Sequence, residues 1–112
     1  MNIEAFRDYC LSLPGVTEDM KWGHLCFLIA AKIFVIMDVD GDQSFSFKCR
    51  PEDFDELTAR YGIIQAPHLA RRQWVKILGL EVLTITELQE RIATSRTLVL
   101  SKLSKKIQAQ YL

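Results

Sequence analysis

Apolar positions change their period several times along the chain, and each change marks an element. Ile3, Phe6, Cys10 and Leu13 recur at steps of three and four, which lines one face of an amphipathic helix. Asn2 is its N-cap, Glu4 in the first turn suits the helix dipole, and Pro14-Gly15 ends it. After Val16 and an acidic turn, Met20-Lys21-Trp22-Gly23 is expected as a short edge strand. Leu25 to Ile29 and Ile33 to Val39 are rich in β-branched and aromatic residues, and the short Ala30-Ala31-Lys32 link predicts a hairpin. Asp40-Gly41 supplies the positive φ of a tight turn. Ser44 to Cys49 then alternates: Phe45, Phe47 and Cys49 point one way, Ser44, Ser46 and Lys48 the other. Such a sheet has one covered face.

Pro51 opens a second helix as an N1 residue, with Glu52 and Asp53 in its first turn. Phe54, Leu57 and Tyr61 form its apolar stripe, and Gly62 stops it. Ile63 to Pro67 crosses back as a loop or short strand. Arg71 to Leu78 leads into the last strand, where Val75 and Ile77 face the core and Trp74 and Lys76 share the opposite face. Gly79 turns the chain. Thr84 and Glu87 have capping-box spacing before a third helix, whose stripe is Leu88, Ile92, Ser95, Val99 and Leu103. Ser104 caps a short final helix from Lys105 to Tyr111. The expected fold is α+β: an antiparallel β-sheet with helices packed on one face. Without repeat, low-complexity tract or linker, residues 1–112 read as a single domain.

Composition changes this picture little. A chain of 112 residues, 49% hydrophobic and 25% charged, can bury a core without metal or disulfide support. The longest apolar run, Leu25 to Ala31, is far shorter than the roughly 20 residues that span a bilayer. The N-terminal segment carries Glu4, Arg7 and Asp8 rather than the apolar core of a secretion signal. Cys10, Cys26 and Cys49 are odd in number and scattered, so reduced, buried thiols in a cytoplasmic protein are expected, not a disulfide framework. The charge distribution matters more. Net charge is zero, yet residues 1–56 hold five Lys/Arg against eleven Asp/Glu, a net of −6, and residues 57–112 hold nine against three, a net of +6. From Arg91 onward there are five cations and no acid. The split marks either a cationic face for an anionic partner or two halves that neutralise each other.

Few constellations suggest chemistry. Asp38-Val39-Asp40-Gly41-Asp42 has the start of a calcium loop, but the sixth and twelfth positions are Gln43 and Cys49, which leaves a hairpin turn. His24 and Cys26 share a strand face without the further ligands that zinc needs, and Cys26 and Cys49 are expected to face the core. His68 could meet Cys49 or Ser95 in space, but nothing local activates either nucleophile, and no phosphate loop or nucleophile elbow is present. No metal, cofactor or catalytic residue is therefore assigned. The richest window is His68 to Ile77, with Arg71, Arg72, Trp74 and Lys76: guanidinium forks match phosphate oxygens and an exposed indole can stack. Lys102, Lys105 and Lys106 add a second cationic patch. The opposing expectation is that the arginines pair with Asp53 to Glu56 and that Trp74 caps the core edge.

Taken in order, several of these pieces resemble the MmcQ/YjbR family of small bacterial proteins. They are Tyr9 to Glu18, Lys32 with Phe34, Lys48-Cys49 with Pro51-Glu52, His68 six residues before Trp74 with a basic pair between, Ser95, and Lys102 to Lys106. The resemblance implies a CyaY-like α+β fold and a DNA-binding role through a "double-wing" motif. Ala70 and Gln73 replace an Asn and a His usual in that family, Arg50 an Asp, and Ser104 a Pro. This removes hydrogen-bonding side chains from the basic segment and keeps its charge. The expectation is a monomeric, non-enzymatic DNA-binding protein in which Lys32, Lys48, Arg71, Arg72 and Lys76 contact phosphates. His68, Trp74, Lys102, Lys105 and Lys106 complete the interface. The alternative is a module that binds another protein or a small anion through the same segment.

Overall fold

The computed structural model describes residues 1–111. Helix α1 (Ile3–Ser12) begins where Asn2 Oδ1 accepts from the Ala5 N–H at 2.8 Å. Four strands follow: β1 (Thr17–Lys21), β2 (His24–Ile29), β3 (Lys32–Met37) and β4 (Phe45–Lys48). Pro51–Asp53 forms a single 3₁₀ turn that runs into α2 (Phe54–Thr58). Then come β5 (Ile63–Gln65), β6 (Trp74–Ile77), α3 (Ile85–Ser101) and α4 (Lys105–Ala109). The strands form one sheet of order β1-β2-β3-β4-β6-β5, with every neighbouring pair antiparallel. The α+β class expected from the sequence is what the chain adopts. Among these residues no helix is long and apolar enough to cross a membrane.

Phe27, Val35, Met37, Phe45, Phe47, Val75 and Ile77 line the sheet face beneath the helices. Phe6 and Cys10 of α1, Leu57 of α2, and Leu88, Ile92 and Val99 of α3 close over them. Phe6 meets Phe45 edge-on, with ring centroids 4.9 Å apart. Arg96 ties the two chain ends together: its guanidinium donates to the Pro14 carbonyl at 2.6 and 2.9 Å and to the Tyr111 carbonyl at 3.2 Å. Gly15 (φ 76) has no room for a Cβ, because the Tyr111 ring would lie 2.2 Å from it.

Where β3 and β4 separate, a helix side chain takes the place of a ladder hydrogen bond. Register pairs Val35 with Phe47, so Phe34 and Lys48 would be the next partners. Between them stands Ser95 of α3, fully buried. Its hydroxyl accepts from the Lys48 N–H at 2.8 Å and donates to the Phe34 carbonyl at 2.7 Å. Both groups would otherwise be stranded in the interior. Ser95 is thus engaged twice by backbone groups, and His68 lies exposed in the segment after β5.

The structure revises several details. Strand β1 lies earlier than expected, and Trp22-Gly23 forms the turn after it, with φ of 52° and 79°. Ala30-Ala31 makes the next hairpin turn with φ of 49° and 65°. Tyr61 is not on an apolar stripe but 97% exposed, because α2 ends at Thr58 and the chain turns through Gly62 (φ 84). Cys26 is buried but on the other sheet face, in one cross-strand row with Ile36, Ser46 and Lys76. That face is partly covered too, since Ser44 and Ser46 are buried.

Replacing Ser95 with Ala removes both bonds and leaves two buried backbone groups unpaired. Each such group costs about 1–3 kcal/mol. Ser95→Ala is therefore expected to lower unfolding free energy by about 2 kcal/mol or more, read as a fall in the urea midpoint at unchanged slope.

Candidate nucleic-acid interface

Lys48 is carried outward at the end of β4, directly opposite Trp74 at the start of β6. Lys32 and Ile33 arrive from β3, and Val99, Lys102 and Leu103 from the end of α3. Together these residues line a shallow groove of about 290 Å³. Its floor is apolar and its rim holds three ammonium groups around an indole, with no carboxylate in the lining. A second depression of about 270 Å³ continues from it, sharing Lys48 and Lys102 and adding Cys49, Pro51, Gln73, Leu98 and Ser101. Partial burial lowers the Lys48 pKa, and the nearby charge of Lys102 lowers it further. The two cations repel each other here, and an anion between them would relieve that strain.

Lys32, Lys48, Trp74 and Lys102, from β3, β4, β6 and α3, are thus the part of the sequence-derived set that the fold assembles. The arginine tandem does not act as a unit. Arg72 turns back onto α2, donating to Asp55 Oδ2 at 2.9 Å and lying 5.2 Å above the centre of the Phe54 ring. Arg71 is exposed and has no ion-pair partner among the described residues. Lys105 and Lys106 are exposed on α4, just beyond Lys102. Lys76 shares the face of Trp74, as period two requires, but pairs with Asp38 at 3.5 Å. His68 and Lys76 border a different hollow, with Trp22, His24, Asp38 and Ser44.

Those last four residues were not visible as a group in the sequence. Asp38 is their centre. Ser44 Oγ donates to its Oδ2 at 2.8 Å, and His24 Nδ1 stands 2.5 Å from its Oδ1. The His24 contact is a close approach of polar atoms, not a well-aligned hydrogen bond, and Nδ1 has no other partner. Burial would raise the Asp38 carboxyl, but the Ser44 hydroxyl and the charges of Lys76 and His24 outweigh it and hold it below its usual range. The signal available in the sequence was faint: His24 and Asp38 meet because β2 and β3 pair in one register.

A further hollow, about 530 Å³, lies over the start of α3, and its arginines are taken up by neighbouring carboxylates. Arg91 bridges Asp53 and Glu87, both at 3.3 Å, while Arg60 joins Glu87 at 2.7 Å and Glu56 at 2.6 Å. Two of the five late cations, Arg91 and Arg96, are therefore structural. Burial raises the pKa of all three thiols, and among the described residues no three His, Cys, Asp or Glu side chains converge as a metal site.

The elements and groove define a small α+β domain built on one antiparallel sheet, with a basic cleft where the sheet meets its longest helix. The chain belongs to the YjbR family, whose model matches residues 11–98. Its fold is similar to that of protein DR2400 from Deinococcus radiodurans, which carries the DUF419 family domain. The TM-score is 0.89 at 22% identity, over 98% of this chain and 87% of that one. A structural genomics target from Pseudomonas syringae is also similar, with a TM-score of 0.72 at 23% identity, over 88% of this chain and 98% of the other. Comparison with curated proteins returns no match.

Two expectations follow from the ion pairs. Hydrogen bonds from Arg60, aided by Arg91, hold the Glu87 carboxyl below its usual range. Its contribution to stability is present above the unfolded-state value, about 4.3, and is lost as pH falls through the lower folded value. Glu87→Gln is expected to cost about 1–3 kcal/mol at neutral pH and to flatten the loss of stability on acidification, followed by urea titrations across pH. For Arg72, Asp55→Ala is expected to destabilise the parent protein more than it destabilises Arg72→Ala, a coupling that a double-mutant cycle measures directly.

Proposed function

We propose that this protein is a monomeric, cytoplasmic, non-enzymatic DNA-binding protein that grips the phosphate backbone with Lys32, Lys48 and Lys102 around Trp74. The observation that carries the reading is the meeting of three lysines from separate elements with no carboxylate among them. Ammonium groups bind phosphate as point charges and release condensed counterions, giving affinity without base reading. Arg71, Lys105 and Lys106 extend the contact beyond the groove. Trp74 offers a ring surface against sugar or base. Arg72 and Lys76 stand outside this grip because they pair with Asp55 and Asp38, and His68 because it borders the hollow around Asp38. The buried thiols and the doubly engaged Ser95 support the non-enzymatic part of this reading.

A second reading rests on the apolar floor made by Ile33, Val99 and Leu103. It would let the same groove take an acidic segment of another protein, its apolar side chains seated between the lysines.

Fluorescence anisotropy with a labelled duplex tests the proposal. Binding is expected at low salt, with log K falling linearly against log salt at a slope of about −2 to −3 from the three groove lysines, and steeper by about 0.9 for each of Arg71, Lys105 and Lys106 that also meets a phosphate. Lys48→Ala and Lys102→Ala should each reduce the slope by about 0.9, and Arg72→Ala should leave it unchanged. No binding at low salt, or a slope indifferent to both lysines, overturns the reading. Capture of a defined protein after nuclease treatment would favour the second.

A further inference from the structure

The hollow around Asp38 lies on the sheet face away from the helices, remote in chemistry from the lysine groove. We propose that it is a binding site for a small planar aromatic acid. It encloses about 310 Å³, with Trp22 from the β1–β2 turn on one side and Pro67, His68 and Leu69 on the other. That volume suits a ligand of one or two fused rings, at the lower end of small-molecule sites.

The floor sets the polarity of the ligand. Asp38 is the one carboxylate in the lining, and its oxygens are already met by Ser44 at 2.8 Å, Lys76 at 3.5 Å and His24 at 2.5 Å. Placing Nδ1 of His24 against Asp38 leaves Nε2 on the far side of the ring. It has no partner among the described residues, and neither has the imidazole of His68. Lys76 has further N–H donors beyond its single contact with Asp38. The hollow therefore offers N–H donors from Lys76 and His68 beyond those that Asp38 takes up, which calls for a ligand that brings an acceptor of its own.

The walls set the shape. Trp22 is 86% exposed, with Ile36, Pro67 and Leu69 as further apolar lining. Its φ of 52°, followed by Gly23 at 79°, is that of a two-residue hairpin turn. Such turns select Asn, Asp or Gly at the first position, and a bulky residue there is disfavoured. The turn gives no reason for an indole, whereas a ligand ring that stacks on it does. His68, across the hollow, also holds a positive φ, 65°. Both side chains therefore leave turn positions on opposite sides of the hollow.

The test uses indole-3-acetate as probe, with neutral indole and acetate as controls, followed by amide and indole N–H shifts of the ¹⁵N-labelled protein. Indole-3-acetate should shift the Trp22 indole signal and the amides of His24, His68 and Lys76 saturably, leaving the Trp74 indole signal in place. Trp22→Asn suits the turn better, so it should keep or raise thermal stability while weakening the probe by about tenfold. His24→Gln, which keeps a polar group at the strand end, should also weaken it. Absence of saturable shifts, shifts centred on Trp74, equal affinity for neutral indole or for acetate alone, or unchanged binding by Trp22→Asn would each overturn the proposal.

Discussion

A single hydroxyl joins the helical layer to the sheet at the point where the sheet opens. Strands β3 and β4 part after Val35 and Phe47, and Ser95 supplies the missing connection to Lys48 N–H and Phe34 carbonyl. Apolar contacts would hold α3 on the sheet with some freedom to slide, because burial is not directional. Two short hydrogen bonds in a dry interior remove that freedom. Once Ser95 is fixed, Val99 falls one turn further along the same helix, and Lys102 and Leu103 follow at its C-terminal cap and just past it. They therefore arrive beside Lys48 and Trp74 at the open end of the sheet. The groove is a consequence of that join, not an independent feature.

Charge follows the same logic of local satisfaction. The acidic first half and basic second half do partly neutralise each other, through Arg60 with Glu56, Arg72 with Asp55, Lys76 with Asp38 and Arg91 with Asp53. Surface pairs of this kind contribute little each. Their larger effect is to decide which cations are left over. Lys32, Lys48 and Lys102 remain because the elements that carry them meet no acid there, and burial, with the charge of Lys102 nearby, lowers the Lys48 pKa.

How much of this could be read from the sequence depended on distance along the chain. Helices α1 and α3, their caps at Asn2 and Thr84, and the alternation in β4 and β6 were legible, because period and capping are local. The strand order was not: β6 joining β4, with β5 outside it, is set by pairing across long intervals. Tyr61 was misplaced for a related reason. Its spacing from Leu57 fits a helix, but the backbone leaves the helix at Thr58 and Gly62 fixes the exit. Arg71 and Arg72 look equivalent as letters, and only the position of Asp55 and Phe54 separates them. Ser95 was visible as a polar break in an apolar stripe, but its two partners are strand backbone groups that no side-chain pattern records.

The same limit hid Asp38 and His24, and their arrangement contrasts with the groove in a way that bears on what each can bind. In the groove the positive charge is uncompensated, so its field extends into solvent to about the screening distance of 8 Å at physiological salt. It can attract a large polyanion before contact and needs little shape. Around Asp38 the charges are matched at contact distance, so little field escapes. Recognition there must come from directed donors and from ring contact within an enclosed volume, which favours a small molecule. One sheet thus presents, on the residues of β6 alone, Trp74 toward the first kind of surface and Lys76 toward the second. Two positions on one strand face diverge in role because β4 offers Lys48 opposite one and Ser46 opposite the other.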